Sequence, residues 1–159
     1  MEQKGLSRWL KGILAGIAVC GLVVYFLIIP EFGDTIARHY PEYASCYWPW
    51  LIFIWSTAIP CYIAFVFGWK IASNIGADKS FSYENAKYLK WIAWLAAADA
   101  GYFFAGNILL MFINMNHPGI ILFSLLVVFI GIAIAVAAGA LSHLVRKAAL
   151  LQEQSDLTI

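Results

Sequence analysis

The chain is organised as four long apolar segments separated by short polar ones. The apolar segments cover about residues 12–29, 50–72, 88–113 and 119–145. Each is long enough to cross roughly 30 Å of hydrocarbon as a helix, which takes about 20 apolar residues. Backbone groups in lipid must satisfy their own hydrogen bonds, and segments of this length do so as helices rather than as the shorter strands of a barrel. The pattern predicts an all-α integral membrane protein, an antiparallel bundle of four transmembrane helices in one membrane domain.

Composition strengthens this prediction and excludes other classes. Hydrophobic residues make up 63% of the chain and charged residues only 12%, whereas soluble domains are about half apolar and a quarter charged. So much apolar surface needs lipid, and the bilayer is therefore the first expected partner. The net charge of +1 provides no basic field, so direct binding to nucleic acid is not expected.

The basic residues predict the orientation of the chain. Nine of the ten Lys and Arg residues lie in the N-terminal flank, around the loop 73–87 or in the tail 146–159, and only Arg38 lies on the other side. Because Lys and Arg are retained on the cytoplasmic side, we expect both termini and that loop to be cytoplasmic. The first segment is predicted to be an uncleaved anchor, since its uncharged stretch is long for the apolar core of a signal peptide.

The segment from 30 to 49 is predicted to lie outside. Pro30 is expected to close the first helix, and a short helix from Asp34 to about Tyr40 is expected to lie across the outer mouth. The aromatic residues of this segment are typical of an interfacial belt. A lid that contacts a ligand is the alternative interpretation.

The third helix is predicted to be longer than the membrane requires. Ser82 is a favourable N-cap, and the helix it begins should run to Phe112. About 31 residues correspond to roughly 46 Å, so the first turns should project into the cytoplasm or the headgroups.

Small residues predict where the helices approach most closely. Ala135 and Gly139 are four residues apart in the fourth span, and Gly12 and Gly16 in the first. Such pairs let helix backbones approach without bulky side chains between them. We expect both faces at the tightest contacts of the bundle, with homodimerisation through one of them as an alternative.

Asp99 is the anomalous residue of the sequence. It lies near the middle of the third span, where an ionised carboxylate costs several kcal/mol, so it should face the bundle interior or a polar cavity. Tyr102 and Asn107 follow on broadly the same side of the helix. One interpretation is an ion, proton or ligand contact; the other is a neutral acid bonded to a hydroxyl group of a neighbouring helix. The hydroxyl candidates are Ser56, Thr57 and Ser124.

The sequence lacks the patterns that catalysis, metals and cofactors need. The three histidines have no metal-ligand spacing, and there is no Cys-x-x-C pair or glycine-rich phosphate motif. The three cysteines do not suggest a disulfide framework. We therefore predict no metal, no cofactor and no catalytic residue, and expect a protein that is not an enzyme.

Two motifs carry a family resemblance. They are Phe81-Ser82-x-Glu84-Asn85 at the entry to span three and the closing Leu151-Gln152-Glu153-Gln154-Ser155-Asp156-Leu157-Thr158-Ile159. In these the chain resembles an uncharacterised bacterial membrane family, domain of unknown function 2975 (YoaS-like). The resemblance covers about residues 80–159 by motif, and the first half only in hydropathy. It implies a multi-pass protein of the bacterial cytoplasmic (inner) membrane, whose partner would be a small helix-turn-helix regulator encoded alongside it.

These observations favour a non-enzymatic membrane sensor or regulatory protein that acts on a cytoplasmic helix-turn-helix transcription regulator. The alternative is a small transporter or immunity-type protein that binds an apolar or lipid-like ligand within the bundle, with Asp99 as the polar contact. The ligand or polar-cavity candidates are Asp99, Tyr102, Asn107, Ser56 and Thr57. The partner-binding candidates, all in the loop, the helix entry or the tail, are Phe81, Ser82, Glu84, Asn85, Glu153, Asp156 and Leu157.

Overall fold

A computed structural model describes residues 3–156, with the backbone alone for Asp156, and contains only helical elements in that range. Four stretches are long and apolar enough to cross a membrane, which confirms the predicted all-α architecture. The elements in chain order are α1 (Gln3–Val23), a π-helical turn (Val24–Ile28), α2 (Ile29–His39), a 3-10 turn (Pro41–Cys46), α3 (Tyr47–Gly76), α4 (Tyr83–Phe112) and α5 (Pro118–Asp156).

The four membrane-length helices pack in the order of the chain. Within the described residues, the long helices bring Cα atoms within 8 Å only between α1 and α3, α3 and α4, and α4 and α5. The antiparallel bundle is therefore an open row, with α1 and α5 at its two edges. The apolar stretches of the inner helices α3 and α4 are 17% and 11% buried, against 0% and 6% for the edge helices. Lipid must cover most of both edges.

Side-chain hydrogen bonds bring the start of α1 and the last turns of α5 to one end of the row. Ser7 Oγ donates to the carbonyl of Ala72 at 2.5 Å, and Tyr83 OH donates to Glu153 Oε2 at 3.2 Å. We call this the terminal end; it comprises the start of α1, the loop 77–82 and the last turns of α5. The distal end comprises α2, the 3-10 turn and the loop 113–117.

The first helix does not end at Pro30, and the expected separate helix from Asp34 is wrong. The N–H of Ile29 donates to the carbonyl of Val24, one residue further back than in an α-helix. Pro30 has no N–H, so the carbonyl of Tyr25 is left without a helical donor. Trp55 Nε1 of α3 donates to it at 2.8 Å instead. The π-helical turn and this indole thus let the helix continue.

The continued helix ends before a different proline. Tyr40 has φ −127° and ψ 83°, outside the helical region, because the ring of the following Pro41 disfavours helical geometry at this position. The helix therefore ends at His39, ten residues beyond the predicted end of the first span at residue 29.

The predicted limits of the third helix are confirmed. Ser82 has extended backbone geometry, and its hydroxyl accepts from the N–H of Asn85 at 3.2 Å, as an N-cap does. At the other end Asn114 adopts a φ of 56°, and the N–H of Met115 donates to the carbonyl of Leu110 at 2.8 Å. This is the left-handed termination that asparagine tolerates well.

The small-residue prediction holds for one of its two faces. A Cβ at Gly131 would lie 3.0 Å from Ala100 Cβ, and one at Gly139 would lie 3.8 Å from Ala93 Cβ, so α4 and α5 are in close contact. Gly12 and Gly16 face no atom within 4 Å. The expectation that they mark a tight contact of the first span within the bundle is wrong, because α1 packs against α3 through other residues.

Candidate functional site

Asp99 faces α3, but its partner is not a hydroxyl group. Cys61 Sγ donates to Asp99 Oδ2 at 3.5 Å. Asp99 Oδ1 is buried and has no hydrogen-bond partner among the described residues. The three hydroxyl groups expected as its partners bond elsewhere. Ser56 bonds to Tyr102, Thr57 bonds to Tyr25, and Ser124 donates to a backbone carbonyl of α5. The carboxyl group is thus half satisfied within the row.

A polar cluster extends from Asp99 across two helix contacts. Thr57 is one turn before Cys61 on α3, and its Oγ1 lies 3.0 Å from the Tyr25 hydroxyl oxygen. We call Tyr25, Thr57, Cys61 and Asp99 the central cluster. It joins α4, α3 and the π-helical turn, and such turns occur frequently at functional sites.

Tyr25 and Cys61 are absent from the residues predicted from the sequence. Within apolar spans a tyrosine resembles an interfacial residue and a cysteine resembles a small core residue. The sequence contains one local signal for these two residues, their closeness to prolines. Tyr25 lies five residues before Pro30, and Cys61 directly follows Pro60. Prolines in spans release carbonyl groups that polar side chains of neighbouring helices can satisfy.

Tyr102 and Ser56 form a separate pair. Their hydroxyl oxygens are 2.8 Å apart, and Ser56 can also donate to the carbonyl of Phe53 at 2.6 Å. The Tyr102 side chain is 49% exposed, and its ring packs on that of Phe53 with 5.4 Å between centroids. These two predicted residues are thus together, but they do not bond to Asp99.

Asn107 belongs to the distal end rather than to the central cluster. Asn116 Nδ2 donates to Asn107 Oδ1 at 2.9 Å, and Asn107 Nδ2 donates to the carbonyl of Phe103 at 2.8 Å. Asn116 Oδ1 accepts from the N–H of His117 at 3.0 Å. Both amides are buried and occupied with fixing the loop between α4 and α5. Asp99 is eight residues, or about 12 Å along the helix, away from Asn107.

The partner-binding candidates at the terminal end fall into two groups. Asn85 is only 1% exposed; its Nδ2 donates to the carbonyls of Lys79 and Ser80 at 3.0 Å each. Together with the capping Ser82, it therefore organises the loop instead of presenting a surface. Phe81, by contrast, is 59% exposed.

The acidic candidates are exposed but bonded. Glu84 accepts from Tyr88 OH at 2.7 Å and from Asn74 Nδ2 at 3.4 Å, and Glu153 accepts from Tyr83 OH as described above. The side chain of Asp156 and all of Leu157 lie outside the described part of the chain. Within that part, no three His, Cys, Asp or Glu side chains come close enough together to hold a metal ion.

A cavity of about 310 Å³ opens at the distal end. One side is formed by α2, the 3-10 turn and the first turn of α3, and the other by residues 115–120. Four aromatic side chains line it, together with Asn116 and His117, and the lining contains no Asp, Glu, Lys or Arg. The aromatic residues are Tyr40, Tyr43, Tyr47 and Trp50.

Four apolar helices with polar groups between them define a multi-pass membrane protein. Residues 31–159 match the profile of the family described as "Protein of unknown function (DUF2975)", and the chain belongs to that family. It is 30% identical over 149 residues to the "Uncharacterized membrane protein YoaS" of Bacillus subtilis (strain 168), covering 92% of each chain. No solved structure matches significantly. The predicted resemblance is confirmed, and the identity reaches into the first half, where hydropathy alone had indicated it.

Proposed function

We propose that the protein is a non-enzymatic regulatory protein of the bacterial cytoplasmic membrane, which acts on a helix-turn-helix transcription regulator at its terminal end. The distribution of Lys and Arg supports a cytoplasmic terminal end. The observation that carries the proposal is Phe81, a large aromatic side chain that is 59% exposed on the loop before α4. Exposed aromatic side chains of this kind are frequent anchors of protein interfaces.

The end of α5 extends the same surface. The helix continues 11 residues beyond Val145, or about 16 Å past the predicted span. Leu150 and Leu151 are 46% and 57% exposed on it, and the bond between Tyr83 and Glu153 holds this extension against the entry of α4. An apolar surface with carboxylates at its edge suits an amphipathic helix that carries basic residues.

Co-purification tests the proposal with a matched control. The proposed helix-turn-helix regulator is co-expressed and captured with the detergent-solubilised protein, which carries either Phe81→Ala or Phe112→Ala. Phe112 is 75% exposed at the far end of α4, which lies at the distal end. Phe81→Ala should remove about 1.4 kcal/mol or more of binding free energy and so lower capture at least tenfold. Equal capture by both variants would contradict the proposal.

A second function is favoured by the central cluster. Asp99 Oδ1 is buried without a donor, and an unsatisfied buried acceptor costs about 1–3 kcal/mol. The function would be that of a small transporter or immunity-type protein, which binds an apolar or lipid-like ligand between α3 and α4. One donor group on the ligand would remove that cost. Native mass spectrometry tests it: a ligand should remain bound to the wild-type protein and be absent from Asp99→Leu. Identical spectra of the two proteins would exclude this function.

A further inference from the structure

The distal cavity has the size and the lining of a small-molecule site. Ligand pockets measure about 300–1,000 Å³ and combine apolar and aromatic walls with a few polar groups. This cavity, of about 310 Å³, is at the lower end of that range. Its walls come from three separate parts of the chain, residues 33–40, 43–50 and 115–120.

The walls are held in place by packing and hydrogen bonds. Gly33 is buried on α2, and a Cβ there would lie 3.0 Å from the Tyr47 ring and 3.2 Å from that of Trp50. The helix therefore rests directly on both rings. On the opposite side, the two buried asparagines described above fix the loop that carries His117. A pocket that is formed before its ligand arrives loses less ordering entropy on binding.

The chemistry of the lining selects the ligand. No Asp, Glu, Lys or Arg lines the cavity, so an ion would lose its hydration without gaining a counter-charge from one of these residues. The nearby Asp34 carboxylate is already paired with Arg38 at 2.6 Å and is not part of the lining. His117 Nδ1 accepts from the N–H of Gly119 at 3.0 Å, which leaves Nε2 as the donor of the neutral ring. Aromatic walls favour a flat aromatic partner.

We propose that the distal cavity binds a small, uncharged aromatic molecule with one hydrogen-bonding group. The ring of the ligand lies against the tyrosines and Trp50, and its polar group bonds to a tyrosine hydroxyl or to His117 Nε2. This site is at the opposite end of the row from the surface proposed for the regulator, and its occupation does not depend on that partner.

Fluorine NMR tests the site with indole as the probe. The full chain is labelled with 5-fluorotryptophan in lipid nanodiscs, and the Trp50 signal is assigned by Trp50→Phe. Indole should shift this signal saturably, while the signal of Trp94, which is on α4 outside the cavity lining, changes only in proportion to indole dissolved in the lipid. Proportional shifts of both signals without saturation would overturn the proposal. Saturation by choline instead of indole would overturn the uncharged class and indicate an aromatic cage for a cation.

Variants that fill the cavity complete the test. Ala37→Phe on α2 and Ile120→Phe on α5 each place a ring inside the lining, and at least one of them should retain the wild-type spectrum outside the pocket. Either should weaken indole binding at least tenfold. Ala15→Phe, on an exposed face of α1, is the control and should leave binding unchanged. Unchanged saturation in the folded pocket variants would place indole elsewhere and overturn the proposal.

Discussion

Replacing Gly106 by alanine should force the Phe53 ring away from α4. A Cβ at this position would lie 2.1 Å from Phe53 Cε2 and 2.4 Å from Cζ. Carbon atoms in ordinary contact are about 3.5–4.0 Å apart, so the ring must move by at least about 1.4 Å. Gly101 is the matched control on the same helix, since a Cβ there meets no atom within 4 Å.

The expected magnitude follows from what Phe53 contacts. Its ring is stacked on that of Phe103 at 5.9 Å with 3° between the planes, and it packs on Tyr102. Each aromatic pair contributes about 0.5–1.5 kcal/mol, and overpacking costs about 1–3 kcal/mol. Alanine itself gains about 1 kcal/mol over glycine in a helix. Gly106→Ala should therefore be less stable than Gly101→Ala by about 2–3 kcal/mol.

Unfolding in mixed micelles of increasing sodium dodecyl sulfate, followed by circular dichroism, measures this difference. In a Phe53→Ala background, the cost of Gly106→Ala should largely disappear, because the clash has lost its partner. Equal stability of the two glycine variants, or an undiminished cost without the Phe53 ring, would refute the packing between α3 and α4 described here.

Three further predictions address other parts of the chain. Asp99→Asn should stay within about 1 kcal/mol of the wild-type unfolding free energy. Asp99→Leu should keep the fold but lose any bound ligand, since it removes an unsatisfied buried acceptor. A large loss of stability in Asp99→Leu would make the carboxyl group structural. Trp55→Phe should lower the free energy of unfolding by about 1–3 kcal/mol, because the Tyr25 carbonyl loses its donor. Replacing the exposed Trp94 by Phe should lower it little. Equal effects of the two variants would show that the Trp55 indole does not compensate for the N–H that Pro30 lacks. Ala44→Cys should react with an impermeant thiol reagent in intact cells and Ala77→Cys only after lysis; the reverse pattern would invert the proposed orientation.

Local signals explain why some elements were predictable from the sequence. The cap at Ser82, the length of each apolar segment and the small residues near Gly139 act within one helix or between two neighbours, and the structure has them where the pattern places them. The continuation through Pro30 was not predictable in this way. The sequence shows that Pro30 lacks an N–H. It does not show the replacement donor, Trp55 Nε1, because that group comes from another helix.

The candidate sites were less predictable because their members come from different helices. Spacing along α4 placed Tyr102 and Asn107 near Asp99, but Tyr102 bonds to Ser56, and the helix rise puts Asn107 about 12 Å away. The actual partner, Cys61, depends on how α3 and α4 align. The distal cavity likewise forms only where three distant segments meet. Phe81 and the acidic residues of the terminal end were found from motifs, and their binding role stays a prediction.

Photo-crosslinking in intact cells tests the proposed regulatory function most directly. Benzoylphenylalanine replaces Phe81 in one variant and Phe112 in the other, and crosslinked products are probed with antibodies against the proposed helix-turn-helix regulator. Both positions are exposed on or next to α4, at opposite ends. We expect a crosslink to the regulator from position 81 and none from position 112. No crosslink from position 81, or equal crosslinks from both positions, would contradict regulation through a cytoplasmic terminal end.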